Sequence, residues 1–155
     1  MNSDFSIHRR RVMVGALGVT AAAALATIFA RPASATPDTA KQLLQTLIKG
    51  EPKDGRVSVK APEIAENGNA VPVTVSVESP MTDKDHVKAL HIVADGNPNP
   101  GVASFSFTPA SGKCEVQFRA RLAQTQKLIV VAETSDGGVW TAAREVKVTI
   151  GGCGG

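Results

Sequence analysis

The last five residues, Gly151-Gly152-Cys153-Gly154-Gly155, place one thiol between two pairs of glycines. A thiolate is a strong nucleophile, so the chemistry on offer is covalent attachment or thiol exchange. Glycine lacks a Cβ and loses more freedom on folding than any other residue, so this stretch has little tendency to join a core. Extended, five residues reach roughly 17 Å at about 3.4 Å each. The tail reads as a thin arm carrying a nucleophile.

Nothing near Cys153 in sequence activates it. Lowering a thiol pKa from about 8.5 takes a nearby cation, a metal or a helix N-terminus. The nearest basic residue is Lys147, and the carboxylate of Gly155 opposes ionisation. A catalytic cysteine is held beside a base and an orienting partner; this one sits on a tether. The expected role is therefore a carried thiol. Cys153 is the covalent attachment point, and Gly151, Gly152, Gly154 and Gly155 form the flexible arm. No catalytic residue, metal ligand or cofactor is expected in the chain itself.

The other reactive side chains form no recognisable constellation. His86 and His91 lie five apart, near Asp83 and Asp85, without a metal-ligand spacing. The carboxylate pairs Asp83/Asp85 and Glu63/Glu66 fall in polar turns and lack an acid–base partner. Cys114 lies on the apolar face of an alternating run with Val116, Phe118, Ala120 and Leu122, where a free Cys behaves as a small hydrophobe. A Cys114–Cys153 bridge is the competing use of the two thiols. It would require the glycine tail to fold back onto the sheet.

The arm needs an origin, and the chain reads as one domain behind an export segment. Residues 1–35 carry Arg9-Arg10-Arg11, an apolar run from Val12 to Ala30, and Ala33-Ser34-Ala35. That is a signal peptide with a cleavage site, and Arg9-Arg10-Arg11-Val12-Met13 fits the twin-arginine pattern. A periplasmic location follows as an expectation, with no membrane attachment after cleavage. The remaining 120 residues hold 13 basic and 13 acidic side chains, so the sequence pI of about 9.1 belongs mostly to the signal. No basic patch argues for nucleic acid.

Residues 36–150 are expected to form a helix and a β-sandwich. Thr36-Pro37-Asp38 is a helix start, with Thr36 as N-cap. Ala40, Leu43, Leu44, Leu47 and Ile48 make one apolar stripe, which should pack on the domain, and Gly50 is the expected C-terminal cap. Period-two patterns then follow, at 56–60, 71–77, 87–94, 102–108 and 114–122, separated by Gly-, Pro- and Asn-rich turns. Pro72 should lie at an edge or outside a ladder. Leu128-Ile129-Val130-Val131-Ala132 reads as a strand buried on both faces. Asp136-Gly137-Gly138 signals a tight hairpin, and the last strand alternates through Val146, Val148 and Ile150 into Gly151. Seven or eight short strands at this spacing predict an all-β, immunoglobulin-like sandwich, with residues 151–155 as its appendage.

The terminal Gly-Gly-Cys-Gly-Gly behind Val146-Lys147-Val148-Thr149-Ile150 resembles the SoxY family, sulfur-compound carriers of the bacterial thiosulfate-oxidising system. The twin-arginine-type signal fits as well. So does the stretch from Arg121-Leu122-Ala123 through Gln126 to Val131-Ala132-Glu133-Thr134-Ser135-Asp136-Gly137. Cys114 is additional to that pattern. The resemblance implies a periplasmic heterodimer with SoxZ. It implies that the haem protein SoxAX joins thiosulfate oxidatively to Cys153 as a cysteine S-thiosulfonate. SoxB would then hydrolyse off sulfate and leave a persulfide, which a sulfur dehydrogenase oxidises or which is passed on. The chain would be a non-catalytic carrier whose contacts with SoxAX, SoxB and the dehydrogenase are transient. A homodimer through a Cys153 disulfide is a further expectation.

Two readings of other classes stand beside this one. A secreted structural or adhesive sandwich could be crosslinked through Cys153. A ubiquitin-like sulfur carrier also ends in Gly-Gly, but the export signal separates this chain from ATP-dependent activation and the pattern holds no central helix.

Overall fold

The computed structural model describes residues 37–151. The expected export segment 1–35, Thr36, and Gly152, Cys153, Gly154 and Gly155 of the expected arm lie outside the described residues.

Among the described residues, helix α1 (Pro37–Leu47) is followed by nine strands. These are β1 (Lys53–Asp54), β2 (Val57–Lys60), β3 (Ile64–Ala65), β4 (Val71–Val77), β5 (Val87–Ala94), β6 (Gly101–Ser106), β7 (Cys114–Ala120), β8 (Gln126–Thr134) and β9 (Val139–Val148). They form two sheets. The larger runs β1-β9-β8-β5-β6, with β3 also on β9, and the smaller runs β2-β4-β7. The sandwich and its N-terminal helix match the fold expected from the pattern. The two-residue strands β1 and β3 were too short to show any periodicity.

Alternation decides what each strand buries. Val71, Val73, Val75 and Val77 of β4 face Leu90, Ile92 and Ala94 of β5 and Leu128, Val130 and Ala132 of β8 across one core. The odd-numbered residues of β8 point the other way, yet Val131 is also buried. The reason is α1, whose Leu44, with Ile48 just beyond the helix end, shares an apolar cleft with Ile129 and Val131, while Leu43 and Leu47 lie over β5 and β6. The helix stripe thus covers the outer face of the large sheet, and the continuous apolar run of β8 needs both covers. Leu90 is fully buried. Leu90→Ala is expected to cost about 3 kcal/mol by transfer and cavity formation, and to lower Tm by roughly 10 °C in a domain of this size. A thermal melt followed by circular dichroism checks it.

Three local expectations are refined. The helix ends at Leu47, not at Gly50, whose φ of +143° is not that of a left-handed cap. Pro72 lies within the ladder opposite Arg119. On its other flank β2 reaches only the level of Thr74, so the missing N–H faces no strand there. Ile150 is 68% exposed and does not continue the inward alternation of β9.

The segment 53–65 joins the sheets. Strand β1 pairs parallel to the start of β9, the chain turns at Gly55 and Arg56, β2 joins the small sheet, and β3 returns to the end of β9. Arg56 has φ +52° and its guanidinium lies 4.9 Å from the centre of the Trp140 ring. It also pairs with Asp85 at 3.5 Å.

Candidate functional site

The expected site is the tail, and the structure describes the place from which it departs. Strand β9 is held on one side by β8, antiparallel from Glu133↔Val139 to Gln126↔Val146. On its other side β3 pairs Ile64↔Lys147 and Ala65↔Val148. The last residues before the arm are fixed individually. Val148 N–H donates to Thr125 Oγ1 at 3.0 Å. Thr149 N–H donates to the Ala65 carbonyl at 3.1 Å, and its hydroxyl donates to the Glu66 carbonyl at 3.0 Å. The Ile150 carbonyl accepts from buried Gly68 N–H at 2.8 Å. Gly68 in turn accepts from Leu122 N–H at 2.8 Å, which ties the arm's root to the crossover between β7 and β8.

Gly151 is the first residue of the expected arm and the one of its glycines that is described. A Cβ placed on it would overlap the carbonyl oxygen of Ala123. Glycine is needed here for close approach of two backbones, a reason distinct from the flexibility expected of the arm. Gly151 therefore sits in a backbone notch, walled by 121–125 on one side and 65–68 on the other, from which the expected arm would depart.

The surroundings of this notch set its character. Ile64 and Ile150, exposed by 57% and 68%, stand beside it. A cleft of about 320 Å³ at the same end is lined by Asn97, Asn99, Phe118, Arg119 and Arg121. The region thus offers aliphatic surface and two guanidinium groups next to the arm's origin.

Cys114 lies elsewhere. It begins β7 opposite Val77, is 3% exposed and carries a free thiol. Burial without a compensating charge pushes its pKa from 9.0 up to about 11, the reverse of activation. The seven residues of β7 carry it roughly 20 Å from the strand end that leads into the notch wall, at about 3.3 Å per residue. Cys153 follows Gly151 by two residues, a reach of about 7 Å. A disulfide needs Cα atoms within about 7 Å of each other. Cys114 thus lies at the far end of β7 from the crossover that Gly151 contacts, a placement that argues against an intrachain bridge.

The histidines do not converge on the notch. His86 Nδ1 is 3.0 Å from the Thr82 carbonyl, and its N–H donates to Ser135 Oγ at 3.1 Å, at the opposite end of the sheet from the notch. His91 Nδ1 is 2.9 Å from Ser104 Oγ between β5 and β6. Asp85 is engaged by Arg56. Among the described residues no three His, Cys, Asp or Glu side chains could hold a metal ion together. Asp136 serves the β8–β9 hairpin. Hydrogen bonds from the Thr134 hydroxyl and the Gly138 N–H hold its carboxyl below the usual range. The residues that sequence reading missed are those of the notch: Gly68, Thr125 and Thr149, with Asn97 and Gln126 behind them. Their signal was weak, because each acts through backbone groups far away in sequence.

Comparisons with known proteins agree with this picture. The family model described as "Sulfur oxidation protein SoxY" matches residues 41–153. Comparison with curated protein sequences finds no match. Among solved structures, the sulfur carrier protein SoxY from Chlorobium limicola f thiosulfatophilum is similar at 38% identity and TM-score 0.60, over 71% of this chain and 96% of that one. The superoxide reductase (neelaredoxin) from Ignicoccus hospitalis is similar at 23% identity and TM-score 0.54, over 75% of this chain and 95% of that one. That second likeness concerns the fold.

Proposed function

Since the chain belongs to the SoxY family of sulfur oxidation proteins, we propose that it is a carrier that binds thiosulfate-derived sulfur covalently on the Cys153 thiol. The observation that carries this reading is the reach of the family match, which extends to residue 153 and so takes in the terminal cysteine. The similar Chlorobium protein is itself a sulfur carrier. The anchored end of β9 supports it further, because a carrier needs a rigid origin and a reactive tip.

In the chemistry proposed, the Cys153 thiolate and the outer sulfur of thiosulfate form an S–S bond, and two electrons leave to the haem protein SoxAX. Water then cleaves the bond to the terminal sulfonate in SoxB. Sulfate departs with the added oxygen, and a persulfide stays on Cys153. A sulfur dehydrogenase oxidises that sulfur, or it is handed on. The chain supplies no catalytic group to these steps. Its contribution is to present the adduct, replacing free diffusion by a high local concentration. The working form is a periplasmic heterodimer with SoxZ, exported by the twin-arginine route with residues 1–35 removed. It carries no cofactor beyond the sulfur adduct.

Intact-protein mass spectrometry of the mature chain from thiosulfate-exposed cells tests the reading. Reducible additions of sulfur and sulfonate units, mapped to the C-terminal peptide, are expected. An unmodified thiol under those conditions would overturn it and favour the crosslinked structural sandwich.

A further inference from the structure

Three polar residues are buried among the described residues: Asn97, Gln126 and Thr134. Thr134 serves the β8–β9 hairpin, where its hydroxyl donates within the turn. Asn97 and Gln126 lie together at the other end, behind the wall of the notch. A buried polar side chain is costly unless partnered, so what these two bond to shows what they hold.

Asn97 sits in the β5–β6 turn, 3% exposed. Its Nδ2 donates to the Arg121 carbonyl at 2.8 Å, and its Oδ1 accepts from Ala123 N–H at 2.9 Å. It thereby pairs with the crossover segment as a neighbouring strand would, where no strand is present. Gln126, 5% exposed, donates from Nε2 to Asn97 Oδ1 at 2.7 Å and to the Gln124 carbonyl at 3.2 Å. Its Oε1 accepts from Gly96 N–H at 2.7 Å. Gly96 has no room for a side chain, since a Cβ there would lie 2.9 Å from Gln126 Cβ. Of the four consecutive residues 121–124, Arg121, Ala123 and Gln124 are thus bonded by two side chains, and Leu122 by the Gly68 carbonyl. The third of them, Ala123, presents the carbonyl against which Gly151 rests.

We propose that Asn97 and Gln126 are positioning residues of the arm: through the backbone of 121–124 they hold the wall that Gly151 abuts, and so set the direction in which the arm leaves. This inference rests on the carrier reading of Cys153. Both side chains bond to the backbone of the wall and to each other. They act by restricting where the thiol starts, which limits the conformations an enzyme must select from.

The test is a distance measurement on the full mature chain. A nitroxide on Cys153 and a second on Ser58→Cys, exposed on β2, are placed in a Cys114→Ala background and read by pulsed electron paramagnetic resonance. Asn97→Ala and Gln126→Ala, with thermal melts confirming the fold, are expected to broaden the distance distribution and move its mean by about 4 Å, one Cα step. Loading by thiosulfate should show a severalfold rise in apparent KM for the carrier with kcat nearly unchanged. Distributions superimposable on that of the parent in folded variants would overturn the proposal. Should Asn97→Ala fail to fold, Gly151→Ala forces the same wall from the other side, and an unshifted distribution there overturns it equally. Failure of the carrier reading looks different: the Cys153 thiol would then stay unmodified in thiosulfate-exposed cells, whatever the distances.

Discussion

Cys153→Ser is expected to abolish thiosulfate-dependent loading entirely, while the domain folds and melts as before. Serine keeps the size and removes the nucleophile: its hydroxyl remains protonated at neutral pH and forms no S–S bond. The fold should not register the change, because the described core is built by β4, β5, β7, β8 and β9 and the substitution alters a single side-chain atom at the tip of the tail. The loss would be all-or-none, unlike the graded effect of moving the arm's root. Turnover assays with the haem partner, paired with mass spectrometry of the carrier, measure it. Continued turnover in the variant would remove Cys153 from the chemistry.

Cys114 should be invisible to the same reagents. At pH 8 a thiol of ordinary pKa is about one quarter ionised, whereas one at about 11 is roughly a thousandth ionised. Thiolate supply alone separates the two cysteines by about two orders of magnitude, before the steric shielding of a side chain 3% exposed. One thiol is expected to react with a disulfide reagent in the native protein and two after denaturation. Two fast thiols in the native protein would contradict the burial of Cys114.

The raised value has a consequence for stability. The fold favours the neutral thiol, while the unfolded chain ionises near 9.0 and the folded one near 11. Stability is therefore whole below pH 9 and is lost as pH rises towards 11. The loss is on the order of 2–3 kcal/mol. Comparing urea melts of the parent and Cys114→Ala across that interval isolates it, since lysines titrate in both.

Much of the architecture was legible from alternation. Val71 to Val77 and Leu128 to Ala132 each announce a strand, because side-chain direction has period two and burial selects apolar residues. The α1 stripe and the Asp136-Gly137 turn were legible for the same kind of local reason. The short strands β1 and β3 were not. Two residues hold no period, and Lys53–Asp54 and Ile64–Ala65 are strands because β9 is beside them. Ile150 misled the alternation, since the rule describes a strand covered by a second sheet and β9 has outrun its cover there.

The chemistry proposed for Cys153 comes from the chain alone, since a thiol between glycine pairs suggests a carried nucleophile by its residue types. The origin of the arm does not. Gly68, Ala123, Thr125 and Ile150 come from three separated segments, and they meet because β3 and the β7–β8 crossover both close on β9. Asn97 likewise reads as one more polar turn residue until its amide is seen bonded to Arg121 and Ala123. Linear order carries what a residue type can do; contacts between distant backbones, which have no sequence period, decide where it does it.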